Sequence, residues 1–425
     1  MTGSVLDLIG AACQAREATA ADAVDGVTTQ VVASPASTEE TSALLRACHE
    51  HGLAVVVRGH GTKLAWGTPP ERVDVVLDTT RMDALVEHSR GDLIATAGAG
   101  MPLARLAAHL AEGGHQLVVD DLVAVDRPDG PGGSTLGGAV ATNLSGPRRT
   151  WVGAMRDLVI GVRFVRPDGT VAKAGGKVVK NVAGYDLSKL LCGSYGSLAV
   201  ITEVTVRLHP LPEADRWVGT SVEPDRLAAV LAEVVQSQEV PHAVEVRVRP
   251  GVRPAVVTLL SGTEAGATAR AETLRDRLAT LGCEARVHDV APPWWGVLLH
   301  PGQRGGTPVP DGSRPVLLKA TARLSGIPQL LEEVTAVQGT ATGSAGSGVL
   351  YVTLPPGDEV HDHVQRLRSV STRLGGSLVV LDAPPQTKPG LDSWGAVPGL
   401  ELMRRVKQEF DPRRTLAPGR FVGGL

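Results

Sequence analysis

Residues 131–149, PGGSTLGGAVATNLSGPRR, constrain this chain more than any other stretch. Five glycines, short hydroxyl side chains and one Asn leave little bulk along it. Such a backbone can approach something flat or charged closely, because glycine lacks the Cβ that would block the way and admits positive φ. Ser, Thr and Asn then offer short hydrogen-bonding arms. Two readings fit the stretch alone: a segment lying along a large cofactor, or a glycine-rich turn between two strands.

Other glycine loops bear on that choice. The apolar run 53–57 is of strand type, and it ends abruptly in Arg58-Gly59-His60-Gly61-Thr62-Lys63. Successive backbone N–H groups in such a loop form a nest for an anion. Leu64 breaks the G-x-G-x-x-G pattern and no G-x-x-x-x-G-K-[ST] occurs, so Rossmann and P-loop readings are disfavoured. His60 invites a catalytic or covalent role; a loop histidine supporting the turn is the plainer reading. GGKVVKNVAGYD from Gly175 and the loop 193–197, ahead of the Val-, Ile- and Thr-rich run 198–208, repeat the arrangement. One glycine loop beside a strand means little. Four of them are explained economically by a long ligand touching many strand ends.

The remaining pattern is mixed α and β. Ser37 or Thr38 caps a helix that runs to about His51 and stops at Gly52. Strands are expected over 73–78, 93–97, 157–166 and 171–174, with a helix over 102–112 and a hairpin turn at 167–170. From about Leu211 the glycine loops thin out. Strands at 242–249, 255–260, 284–290, 315–321, 349–354 and 377–381 then alternate with helices at 263–281, 327–337 and 360–374. This is an antiparallel α+β layer with helices on one face, with an exposed loop at 300–311. No internal repeat of fixed period is evident. A helix at 400–410 leads into the tail.

At 425 residues the chain has room for about two or three domains. The net charge is −3 and the Arg pairs are short, so no nucleic-acid footprint exists. Cys13, Cys48, Cys192 and Cys283 are far apart with no C-x-x-C, which argues against a zinc site or iron–sulfur cluster held by this chain alone. The first residues lack a basic n-region, and no run of about 18 apolar residues occurs. The expected location is cytoplasmic, or peripheral through a partner.

The order RGHGTK, STLGGAVATNLSGPRR, GGKVVKNVAGYD, GSYGSLAVITEVTVRLHP resembles the FAD-binding (PCMH-type) domain of the vanillyl-alcohol oxidase family. Within it the likeness is nearest to the FAD-binding subunits of bacterial glycolate oxidases. The tail FDPRRTLAPGRF looks like that family's returning C-terminal segment. The resemblance implies an α+β fold: an N-terminal helix and connection (1–29), a two-subdomain PCMH-type FAD-binding domain (30–210), an antiparallel α+β cap (211–395) and a returning segment (396–425). It implies that Gly59, His60, Gly61 and Thr62 wrap the FAD pyrophosphate. It also implies that Thr135, Gly137, Gly138, Thr142, Asn143, Ser145 and Gly146 flank the diphosphate and isoalloxazine, and that Ile201 presents backbone to the adenine. The resemblance further implies that residues 181–186 would brace the site, with Tyr185 and Asp186 in a structural or a contacting role. Thr62 stands where relatives with covalent flavin have histidine, so the FAD is expected to be noncovalent. Ala417 replaces the Asn of an Asn-Pro-Gly tail. His361 and His363 are two apart on a helix and share no face, so no metal is expected.

The implied function is an FAD-dependent oxidoreductase acting on CH–OH groups. Its partners would be a catalytic flavoprotein subunit and an iron–sulfur subunit that takes electrons onward, with a small 2-hydroxy acid as substrate. A stand-alone 2-hydroxy-acid dehydrogenase and a non-catalytic subunit remain as alternatives. Flavin chemistry needs a proton acceptor and usually a cation for a carboxylate. Arg247, Arg249, Lys319, Arg323 and Tyr351 could serve, and the sequence selects none of them.

Overall fold

The computed structural model describes residues 4–123, 126, 127, 130, 131, 133–176, 185–298 and 314–425. Residues 181–184 of the NVAGYD motif and the expected 300–311 loop lie outside them. Three main sheets organise the chain.

The first has four strands in the order Gln14–Glu17, Val31–Ser34, Val75–Asp78, Val55–Arg58. Its last three strands run parallel. Helix Thr38–His51 covers it, with Leu44, Leu45 and Cys48 fully buried. Ser37 caps that helix by accepting from Glu40 N, and Gly52 ends it at φ 66°. This is where the capping and stop residues placed it. Gln14–Glu17 was not anticipated, because a polar edge strand exposed on most positions carries no apolar alternation.

The second sheet is antiparallel, in the order Val171–Gly175, Val159–Val165, Val200–Arg207, Ile94–Gly98, Leu85–Ser89. Helix Leu136–Thr142 packs on it through Leu136, Ala139 and Val140. The opening glycine stretch therefore contains a short helix, which two adjacent glycines of low helix propensity had hidden.

The third sheet has eight antiparallel strands. Its order is Ala285–His288, Ala214–Ser221, Val252–Gly262, Ala243–Arg249, Thr340–Ser344, Val349–Leu354, Val316–Thr321, Leu378–Asp382. Four helices, Leu227–Val235, Glu264–Thr280, Ile327–Ala336 and Val360–Arg373, bury Val230, Leu274, Leu330 and Leu367 against one face. Each half of the sheet is a strand–helix–strand–strand–helix–strand unit. The two units join edge to edge where Glu245 pairs with Ser344 and Val248 with Ala341. The chain thus holds a tandem structural repeat. The sequence shows no fixed period because the copies differ in element and loop length.

The opposite face of this sheet contributes Leu317, Tyr351 and Leu381 to the core that also holds Met155, Leu158 and Phe164. The tail then returns to the first sheet. Ala417 N donates to Val55 O at 2.9 Å and Val55 N to Thr415 O at 2.7 Å, covering the exposed edge of Val55–Arg58.

Candidate functional site

A cleft opens where the first two sheets meet the returning tail. Its floor is the turn after Val55–Arg58. A Cβ on Gly59 would stand 2.2 Å from Thr135 Oγ1, so only glycine lets the two glycine-rich segments touch. Gly61 sits at φ 75°, the left-handed region that glycine enters without steric cost. His60 Nδ1 lies 3.1 Å from Gly133 O, so its ring ties the loop to the second segment, as a turn-supporting histidine would. Lys63 Nζ donates to Ser134 Oγ at 2.5 Å and to Thr62 Oγ1 at 3.2 Å. Ser134 in turn donates through Oγ and N to Asp121, at 2.7 and 2.6 Å. Burial lowers the Lys63 ammonium to about 8 against the opposing pull of Asp121.

The wall is helix Leu136–Thr142. Thr135 caps it by accepting from Gly138 N at 3.2 Å, and Thr142 Oγ1 donates to Gly138 O at 2.8 Å. Gly137 N donates to Ala99 O, and a Cβ there would meet Ala99 Cβ at 2.7 Å. Ile201 closes the far side from the second sheet.

The structure brings Gly59, His60, Gly61, Thr62, Thr135, Gly137, Gly138, Thr142 and Ile201 together on the cleft. Asn143, Ser145 and Gly146 do not line it. Asn143 ends the helix at φ 49°, and its Oδ1 accepts from Arg156 N at 3.0 Å. Ser145 and Gly146 line a neighbouring chamber.

Sequence reasoning missed Arg420 and Tyr195, which also line the cleft. Arg420 is 4% exposed, and its Nη2 donates to the carbonyls of Leu64 and Trp66. Its Nη1 is buried with no hydrogen-bond partner among the described residues. An orphaned guanidinium N–H beside glycine N–H groups and short hydroxyls suits an anionic, phosphate-bearing ligand. The residues present fit a dinucleotide cofactor. His361 and His363 lie far along the chain on Val360–Arg373, half-exposed, and His363 faces Glu359 at 3.6 Å.

Residues 29–175 match the family described as FAD binding domain. This part of the chain is a PCMH-type FAD-binding domain. Its cofactor is FAD, and the protein is related to FAD-dependent oxidoreductases over most of its length. It is 26% identical to the glycolate oxidase subunit GlcD of Bacillus subtilis (strain 168), over 92% of this chain and 88% of that one. It is 35% identical to the glycolate oxidase subunit GlcE of Escherichia coli (strain K12), over 42% of this chain and 49% of that one. An alkyldihydroxyacetonephosphate synthase shares the fold at 18% identity and a TM-score of 0.67, over 92% of this chain and 76% of that one. No helix among the described residues is long and apolar enough to cross a membrane.

Proposed function

We propose that this chain is the FAD-binding subunit of a glycolate oxidase (glycolate dehydrogenase) complex, oxidising a small 2-hydroxy acid together with a catalytic flavoprotein subunit and an iron–sulfur subunit. The observation that carries the reading is the cleft, with its orphaned Arg420 Nη1 beside Gly59–Thr62 and Thr135–Gly138. Gly59, His60, Gly61 and Thr62 would hold the pyrophosphate with Arg420 behind them. Thr135, Gly137, Gly138 and Thr142 would line the next stretch of the cofactor, and Ile201 the adenine end. Asn143, Ser145 and Gly146 would support from the turn that follows. Thr62 offers no imidazole for a covalent link, so the flavin is held noncovalently. Bound FAD supplies a two-electron acceptor for the C–H bond of an alcohol.

The cysteines support placing the clusters on a partner. Cys13, Cys48 and Cys283 are buried and all four are free. The test uses the purified protein alone. Its expected visible spectrum shows a flavin band that acid precipitation releases into the supernatant, with no glycolate-dependent dye reduction until partners are added. Turnover by the lone protein would overturn the subunit reading, and no flavin at saturating FAD would overturn both redox readings.

A further inference from the structure

The charges around the cleft do not balance. Arg58, Lys63 and Arg420 line it, and no Asp or Glu among the described residues does. Arg58 is neutralised from behind, by Asp22 at 3.0 Å and Asp78 at 2.9 Å. Asp25, whose field reaches Arg420, is already held by Lys388. No ion pair reaches Lys63 or Arg420 among the described residues.

Lys63 carries the larger consequence. It is 8% exposed, and an ammonium has three N–H donors to place. Two go to hydroxyls, Ser134 Oγ at 2.5 Å and Thr62 Oγ1 at 3.2 Å. The Trp66 ring centroid, 6.0 Å from Nζ, stands at the outer limit of a cation–π contact. Asp121 is reached only through Ser134, which gives its own hydroxyl proton to that carboxylate. The other groups around the amine are no closer to neutralising it. Arg420 Nη2 donates to Lys63 O at 3.4 Å, and the His60 ring is turned to Gly133 O. A charge taken out of water is costly unless an opposite charge stands beside it. Tying the glycine loop to Ser134 would need only a neutral donor, so holding the loop does not explain an ammonium here. Burial lowers the amine to about 8 against the pull of Asp121, so it parts with its proton easily while no anion is present.

We infer that Lys63 is a counter-cation for the cofactor's diphosphate, and that FAD enters the cleft together with a proton taken up by the Lys63 amine. The diphosphate brings two negative charges to a wall with two positive ones that lack an ion pair. The proton comes from solvent onto Nζ, and no bond of the cofactor changes. The inference deepens the proposed function and rests on the cleft being the cofactor site.

The test titrates flavin-free protein with FAD, by fluorescence quenching across pH and by calorimetry at pH 8 in two buffers of different ionisation enthalpy. Both read binding, not turnover. Wild type takes up about half a proton per FAD at pH 8, and its affinity falls by about eightfold between pH 7.5 and 9, because only the free protein loses the proton there. Lys63→Met binds FAD roughly tenfold more weakly at pH 7.5, with a flat profile and no proton uptake. A merely structural lysine would weaken binding in the variant without any proton uptake by wild type. Gly138→Val separates the inference from the reading beneath it. FAD binding that Gly138→Val leaves unchanged would sink the cleft as the site, and Lys63 with it. Binding that Gly138→Val abolishes, with no proton uptake by wild type or with Lys63→Met following the wild-type profile, would overturn the role of Lys63 alone.

Discussion

Gly59 and Gly138 serve the cleft in different ways, and the difference can be measured. A side chain at Gly59 collides with Thr135, whereas a Cβ at Gly138 meets only Thr135 Oγ1 at 3.1 Å. Gly138→Val is expected to fold with little change in thermal melting and to lose flavin by about tenfold or more, because the added methyls would fill cleft space proposed for the cofactor. Full flavin content in that variant would reduce the segment to a turn. Lys63 gives a pH test. Its folded-state value near 8 lies below the ordinary 10.5, so between those values the unfolded chain holds more protons and stability rises with pH. Relative to Lys63→Met, flavin-free wild type should gain up to about 3 kcal/mol between pH 7.5 and 10.5 in urea titrations. A pH-independent difference would show that the ammonium is not desolvated. At this scale the glycines were legible, because their chemistry is the absence of a side chain. Arg420 and the depth of Lys63 were not. A lone Arg or Lys reads as solvated surface.

Among elements, the helix Leu400–Phe410 and the turn after it act as a clasp. Lys407 Nζ reaches Asp411 Oδ2 at 2.7 Å, Ser197 O at 2.7 Å and Leu416 O at 2.9 Å. Asp411 accepts in addition from Thr415 N and Leu416 N, at 2.9 and 2.8 Å. Asp411→Ala leaves an uncompensated buried ammonium and should cost roughly 3–5 kcal/mol in urea unfolding. A cost below about 1 kcal/mol would mean that water already reaches the pair. Element existence was legible wherever a cap and an apolar period agreed, as at Ser37–Gly52. It failed where tertiary pairing alone makes the strand. Thr340–Ser344 is TATGS, without the large β-branched run that marks a strand, and is held by Ala243–Arg249 on one side and Val349–Leu354 on the other.

For the molecule as a whole, the cleft proposed to hold the cofactor is assembled from distant chain segments. Trp394 never touches the cleft, yet its ring packs at 5.2 Å on Tyr195 and on Phe421, and its Nε1 donates to Thr68 Oγ1 at 3.1 Å. Lys388 pairs with Asp25 in the interior and donates to the carbonyls of Ala65 and Gly67. Trp394→Ala should therefore lower FAD affinity by about tenfold, about 1.4 kcal/mol, in a fluorescence-quenching titration, with every cleft residue intact. Unchanged affinity would show that the tail only stabilises the fold. The position of Arg420 in the cleft wall carries a consequence for biosynthesis. A ribosome makes the chain N-terminal end first, at roughly 5–20 residues per second, so Arg420 follows Arg58 by roughly 20–70 s. Throughout that interval a nascent chain can fold its first sheet but lacks the cation behind the glycine loop. On the proposed site, cofactor loading would then be a late event, and a chain stalled before the clasp would accumulate as apoprotein.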